Sequence, residues 1–151
     1  MKLHFGADDF VANWVAERIP HMRGGGFGPN ASIAVLTDDG ALIGGVVFHD
    51  FRPDVRSIEV SGASVSPRWL TRSLISMILS YPFEQLHCRR ITTITPRRNE
   101  AARRFNRKLG YKQEGLIRRG FGNDDAIVYG MLAGEWRRGK YCLVKKEERV
   151  I

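Results

Sequence analysis

The sequence predicts an α+β fold: one mixed, mostly antiparallel sheet with helices on both faces. Three features carry the prediction. Stretches with helical spacing alternate with apolar runs of strand length, turn residues separate them, and 151 residues with 43% apolar content make one core rather than two. The expected order is helix, three strands, helix, strand, helix, two strands.

The first helix follows Asp8-Asp9, where Phe10, Val11, Trp14, Val15 and Ile19 form an i, i+1, i+4, i+5 stripe, and Pro20 ends it. Gly24-Gly25-Gly26, with Gly28 and Pro29, is a flexible loop. No Gly-Lys-Ser/Thr follows it, so it is not a phosphate loop. Residues 31–37 and 41–49 read as strands joined by Asp38-Asp39-Gly40, a hairpin signal, and residues 56–64 as a third. A second helix begins at Pro67, with Leu70, Leu74, Met77, Ile78 and Tyr81 on one face, and Pro82 stops it. Residues 91–95 form the next strand.

Residues 99–136 are the most informative stretch. Asn99 caps a helix, with Glu100 in its first turn at the positive end of the macrodipole. Ala101, Ala102, Phe105 and Leu109 share one stripe, Arg103, Arg104, Arg107 and Lys108 face outward, and Gly110 is the left-handed stop. Then come Tyr111, Glu114-Gly115, Arg118, an acidic turn at Asp124-Asp125, an apolar strand ending Tyr129-Gly130-Met131-Leu132, and Glu135-Trp136. Arg118 and Asp125 are expected to face each other across this last hairpin.

Residues 1–136 are read as a single domain and residues 137–151 as a basic extension. The extension holds an apolar piece at 141–144 that adds an edge strand, packs on a dimer partner or frays. The net charge is +8, and all of the excess falls in residues 97–151, which carry fifteen basic and seven acidic side chains. Such asymmetry suits a polyanion: a phosphorylated cofactor, a nucleic acid or an acidic protein surface. No motif for sequence-specific nucleic-acid reading accompanies it. Cys88 and Cys142 are far apart with no metal-like pairing to the four histidines, so free thiols and no metal are expected. No apolar run reaches the roughly 20 residues of a membrane span, and the expected location is the cytoplasm.

The string from Asn99 to Trp136 resembles the C-terminal half of the GNAT superfamily of acetyl-CoA-dependent N-acetyltransferases, most closely the subset that acetylates ribosomal-protein N-termini and similar amines. The resemblance implies a GNAT-like sheet with a splayed strand pair, acetyl-CoA as co-substrate, and an amine acceptor that is a protein N-terminus, a lysine or a small molecule. It also implies a homodimer as a common assembly. The basic C-terminal third points toward a macromolecular or anionic acceptor, charged RNA included. The alternative is a catalytically degenerate GNAT-fold module that docks nucleic acid or an acidic protein through that third.

On this resemblance the cofactor groove falls at residues 59–67. Backbone groups at Ala63, Ser64 and Val65 would hold pantetheine and polarise the thioester carbonyl, and the N–H groups of residues 70–75, at the start of a helix from Arg68, would face the pyrophosphate. The family's phosphate loop, an Arg or Gln followed by glycines at the third and fifth places, is here Leu70, Ser73 and Ile75. Arg68, Thr71, Arg72 and Ser73 are candidates to replace the lost contacts. Asn99 carries over as a pantetheine contact or a cap. Arg103, with Arg97, Arg98 and Arg104, is in sequence reach of the phosphates. Glu59 is the candidate base, with His49 and Asp50 as second candidates. Asn106 stands where many members have a tyrosine that protonates the leaving thiolate. Phe27 borders the implied acceptor pocket, and Trp69 and Trp136 read as core or rim anchors.

Overall fold

The computed structural model describes residues 1–19, 22 and 26–143. The strands are β1 (Lys2–Phe5), β2 (Asn30–Leu36), β3 (Leu42–Arg52), β4 (Ser57–Ser64), β5 (Arg90–Pro96), β6 (Lys112–Ile117) and β7 (Ala126–Leu132). The helices are α1 (Asp8–Arg18), α2 (Arg72–Ser80), α3 (Glu100–Leu109) and α4 (Ala133–Arg138). One seven-stranded sheet runs in the order β1-β2-β3-β4-β5-β7-β6. Every neighbouring pair is antiparallel except β4 with β5. The expected mixed sheet with helices on both faces is therefore present. Two elements, β1 and α4, were not expected. Four residues of β1 find partners only in β2, and α4 has just six residues, held at its start by Leu132 N–H donating to Glu135 Oε1 at 2.9 Å.

Strand alternation sends neighbouring residues to opposite faces, and each face has its own core. On one face Val11, Ala12 and Val15 of α1 pack on Ala34 and Val47, beside Ala63. On the other, Ile75, Ile78 and Leu79 of α2 pack on Ile33, Val46, Phe48, Ile58 and Ile91. Phe10 is 67% exposed and Met77 46%, so the buried stripes are Val11, Ala12, Val15, Ala16 in α1 and Leu74, Ile75, Ile78, Leu79 in α2. Pro20 and Gly24-Gly25 lie outside the described residues. Pro82 does not end the winding: residues Tyr81–Gln85 continue α2 as a wider π-type turn with Pro82 buried.

The last hairpin is tied differently from the expectation. Asp125 accepts from the Arg119 amide at 2.9 Å and pairs with Arg97 at 3.4 Å, not with Arg118. The packed chain also passes Trp136, for Tyr141 and Cys142 are buried in the α2-side core and Trp136 Nε1 donates to the Tyr141 carbonyl at 3.2 Å. Residues 144–151 lie outside the described residues. Both cysteines are free and buried, and burial pushes the Cys88 thiol up.

Candidate active site

The parallel ladder between β4 and β5 has three rungs, Ser57 with Arg90, Ile58 with Ile91 and Glu59 with Thr92, and then stops. Residues 60–64 and 93–96 diverge. The opening leads into a cleft of 520 Å³ walled by α2 and α3 and lined by Val60, Ser61, Gly62, Ser64, Thr93 and Thr95 from the two strands. Because Val65 N–H donates to the Ile43 carbonyl at 2.9 Å, the alternation of an antiparallel pair turns Ala63, Ser61 and Glu59 backbone groups toward β3. Those of Val60, Gly62 and Ser64 are left facing the opening. This corrects the expected donors: Ser64 faces the cleft, but Val65 N–H is spent on β3, Val65 itself is 62% exposed, and the Ala63 amide turns away.

At one end of the cleft stands α2. It starts at Arg72, not Arg68, because Thr71 takes the cap position and accepts from Leu74 N–H at 3.2 Å, while Ile75 N–H donates to the Thr71 carbonyl. Two of the expected anion donors are thus consumed. The N–H groups of Arg72 and Ser73 remain, without intrahelical acceptors. Leu70 and Ile75, where the family places its Arg or Gln and its second glycine, instead line the apolar wall. Arg68 is exposed, and Arg72 Nε donates to the Lys140 carbonyl at 2.7 Å. Trp69 lies flat against Gly44, where any Cβ would overlap its ring, and its centroid is 6.5 Å from that of Phe105 on α3.

Helix α3 forms the opposite wall. Asn99 caps it by accepting from Ala102 N–H at 3.1 Å, and Gly110, at φ 105, closes it in the left-handed conformation. Its stripe of Ala101, Ala102, Phe105, Asn106 and Leu109 lines the cleft, with Leu109 at its end packed against the α2-side core. Asn106 is the one fully buried residue of the helix and donates from Nδ2 to Thr95 Oγ1 at 3.0 Å, pinning α3 over β5. Arg103 is not in the cleft: its guanidinium donates to the Tyr129 hydroxyl at 3.0 Å and to the Arg97 carbonyl at 3.3 Å. Its expected phosphate role is corrected accordingly. Tyr111, missed as a site residue, lines the cleft, and complete burial pushes its phenol far up.

On the α1 face of the same strands lies a polar cluster. His49 and Glu59 are directly opposed across β3 and β4, with His49 Nδ1 3.9 Å from Glu59 Oε2. Asp50 joins them because a bulge follows His49 and gives Asp50 a φ of 51, bringing its Oδ2 to 2.6 Å from His49 Nδ1. The second imidazole nitrogen, Nε2, is 2.8 Å from Ser61 Oγ. The Phe27 ring covers His49 at 4.8 Å between centroids. Burial pushes the Glu59 carboxyl above its usual range, His49 pulls it back and Asp50 pushes it up again. The expected base candidates Glu59 and His49 are therefore brought together. Ser61 was missed, although it lies two residues beyond Glu59 on the same strand face. One nitrogen or carboxylate oxygen from each of His49, Asp50 and Glu59 lies within 4.8 Å of the others.

Of the fifteen basic side chains in residues 97–151, five are in ion pairs among the described residues, four of them with acidic residues of the same segment, so the excess itself is essentially unchanged. Arg97 meets Asp125, Arg98 meets Asp124, Arg104 meets Glu100, Lys112 meets Glu135 and Arg137 meets Glu84.

This arrangement has counterparts. Residues 6–111 match the model of the acetyltransferase (GNAT) family. The chain is 31% identical over 84 residues to the uncharacterized N-acetyltransferase YoaA of Bacillus subtilis (strain 168); the match covers 54% of this chain and 48% of YoaA, about half of that relative's length. Among solved structures, a mutant of the spermidine N-acetyltransferase SpeG from Vibrio cholerae aligns with a TM-score of 0.68 at 17% identity, covering 90% of this chain and 97% of that one. A dodecameric structure of the Vibrio cholerae enzyme in an intermediate state aligns with a TM-score of 0.70 at 19% identity, covering 89% and 95%. At these identities the structures share the fold. With a family match over most of its length and a parallel strand pair that opens where that fold opens, the chain belongs to the acetyltransferase (GNAT) family.

Proposed function

We propose that the protein transfers the acetyl group of acetyl-CoA to a small cationic primary amine by direct attack on the thioester. The observation that carries this reading is the opening of the β4–β5 ladder after Glu59 and Thr92. It leaves the Gly62 and Ser64 amides without a strand partner on that side, free to pair with a ligand's extended backbone-like arm. Pantetheine has two amides on an extended arm and would complete that ladder. The apolar walls of Val46, Ile75, Ile78, Phe105 and Leu109 suit its alkyl segments. The pyrophosphate would meet the Arg72 and Ser73 amides at the start of α2 and the side chain of Arg68.

Acetyl-CoA supplies an activated acyl group on a good leaving group. The chain supplies position and proton management. A Gly62 or Ser64 N–H aimed across the opening would stabilise the developing oxyanion. Asn106, which keeps one amide hydrogen beyond its bond to Thr95, would offer it to the departing sulfur in place of a tyrosine.

The acceptor side is the α1 face, where the Asp50 and Glu59 side chains are 64% and 37% exposed. Two carboxylates favour a cation over an anionic acceptor. The likeness to ribosomal-protein acetyltransferases rests on residues 99–136, which hold none of the residues of the α1-face cluster, and so does not bear on the acceptor. Spermidine enzymes among the structural neighbours support a small amine. A cytoplasmic location, where acetyl-CoA and polyamines meet, is part of the same proposal.

Calorimetric titration of acetyl-CoA, with desulfo-CoA and ATP as controls, tests the cofactor half. CoA release with spermidine, an N-terminal peptide and a lysine peptide tests the acceptor half. Binding of acetyl-CoA well above ATP, with turnover of spermidine above the peptides, is expected. Equal, weak, salt-sensitive binding of all three nucleotides would favour the docking-module alternative.

A further inference from the structure

We propose that the acceptor ammonium loses its proton through a relay of Ser61, His49 and Asp50, with Ser61 as the catalytic residue that meets the amine. The inference rests on the acetyltransferase reading and adds the proton path. Glu59, the carboxylate expected as the base, sits at the last rung of the β4–β5 ladder and does not line the cleft. Ser61 lies on the same face about 7 Å further along the strand, in the opened part, and does line it. His49 is only 7% exposed. Its Nε2 reaches the cleft through the Ser61 hydroxyl and its Nδ1 reaches Asp50, in a continuous chain of 2.8 Å and 2.6 Å contacts.

The backbone is bent to build this chain. Consecutive strand residues point to opposite faces, so an aspartate next to a histidine on a regular strand could not orient it. Here the bulge after His49 and the left-handed φ of 51 at Asp50 bring the carboxylate round. A non-glycine residue at positive φ carries strain, and what it secures is the bond to Nδ1. That bond holds the tautomer in which Nδ1 carries the hydrogen and Nε2 accepts from Ser61 Oγ, the division of labour of a serine-histidine-aspartate set. Phe27 covers the imidazole on its other side.

The step balances without any further reactant. The ammonium proton passes to Ser61 Oγ as the Ser61 hydroxyl proton passes to His49 Nε2. The imidazolium formed is balanced by Asp50, with Glu59 3.9 Å away. The freed nitrogen lone pair attacks the thioester carbon, a C–N bond forms, the C–S bond breaks with its electron pair leaving on sulfur, and the nitrogen, positively charged after attack, gives its second proton to water as the amide forms. The proton held on His49 is then released to the thiolate or to water.

The test compares kcat and KM for Ser61→Ala, Ser61→Thr, Asp50→Asn and Glu59→Gln with two acceptors: spermidine, which arrives protonated, and methoxyamine, which is unprotonated at neutral pH. With spermidine, Ser61→Ala and Asp50→Asn are expected to lose about 100-fold in kcat, the lower range for a positioned acid-base group, with KM for acetyl-CoA unchanged. Ser61→Thr should recover most of the loss, and with methoxyamine the loss should shrink to within about threefold. A fall in kcat for Ser61→Ala that is equal with both amines, or no fall, overturns the relay. So does Glu59→Gln exceeding Ser61→Ala, or activity that a chelator abolishes and a divalent cation restores, since His49 would then be a ligand. Wild-type protein that releases no CoA with either amine sinks the acetyltransferase reading itself, a result distinct from failure of the relay. Proton NMR of the His49 ring decides the geometry independently: a downfield Nδ1–H signal lost in Asp50→Asn supports it, and its absence from wild type overturns it.

Discussion

Helices α2 and α3 wall the same cleft, yet only one of them is rooted. Helix α2 buries Leu74, Ile75, Ser76, Ile78 and Leu79, whereas α3 buries Asn106 alone. The two sequences differ in the way this requires: RSLISMILS is apolar on two adjoining flanks, and EAARRFNRKL has a narrow apolar stripe and four basic residues. A narrow stripe facing an open cleft gains little from the hydrophobic effect until something fills the cleft. The difference teaches that α2 belongs to the folding core, while α3 is built to be completed by a ligand.

The largest effect should come from testing that division by truncation. Ile78→Ala, at a residue 4% exposed, is expected to cost about 3 kcal/mol of unfolding free energy, the middle of the range for emptying a core site. Phe105→Ala, on the cleft face of α3, should cost below about 1 kcal/mol in the free protein, as substitutions away from a packed core do. Urea unfolding of both variants without ligand measures the pair. Equal losses would show that α3 is as firmly rooted as α2.

Much of the fold was legible, and the reasons are local. The Asn99 cap and the Gly110 stop both form as their residue types dictate, and the antiparallel meander of β2, β3 and β4 follows from short connections. The start of α2 was misplaced because Pro67 is a good first-turn residue on paper, whereas Thr71 has a hydroxyl in reach of Leu74 N–H and wins the cap. The α3 stripe was read as a core face, and only its Leu109 end packs on the core while the rest lines the cleft, since periodicity reports which residues share a side and not what that side meets. The site was half legible. Glu59 and His49 can be nominated from their places on strands, but the contact between His49 and Ser61, twelve positions apart, exists only through the β3–β4 register, and Asp50 joins only because the backbone turns left-handed there.

A smaller effect sharpens the comparison through ligand binding. A ligand that binds only the folded state stabilises what it touches, and the cleft face of α3 has more to gain than that of α2. Saturating acetyl-CoA should therefore slow amide hydrogen exchange in α3 by about tenfold or more, while α2, already exchanging through larger openings, changes less. Equal protection of both helices would mean that ligand binding stabilises the domain as a unit and that α3 has no special debt to the cleft.

The smallest effect concerns pH and the polar cluster on the α1 face. Burial raises the Glu59 carboxyl above its unfolded value, with His49 opposing and Asp50 reinforcing. A carboxyl raised on folding holds its proton more tightly in the native state. Its contribution is thus neutral below the unfolded pKa, becomes unfavourable as pH rises toward the folded value, and stays so above it. Glu59→Gln keeps the shape and removes the titration, so the variant should gain stability relative to wild type as pH rises from 4 to 7, modestly because the side chain is 37% exposed. Thermal unfolding of both proteins across that range is the measurement. A variant that instead loses stability toward pH 7 would mean that the ionised Glu59 is held by a protonated His49, and the pair would then be an ion pair maintained at neutral pH, with the imidazole unable to accept a proton from Ser61.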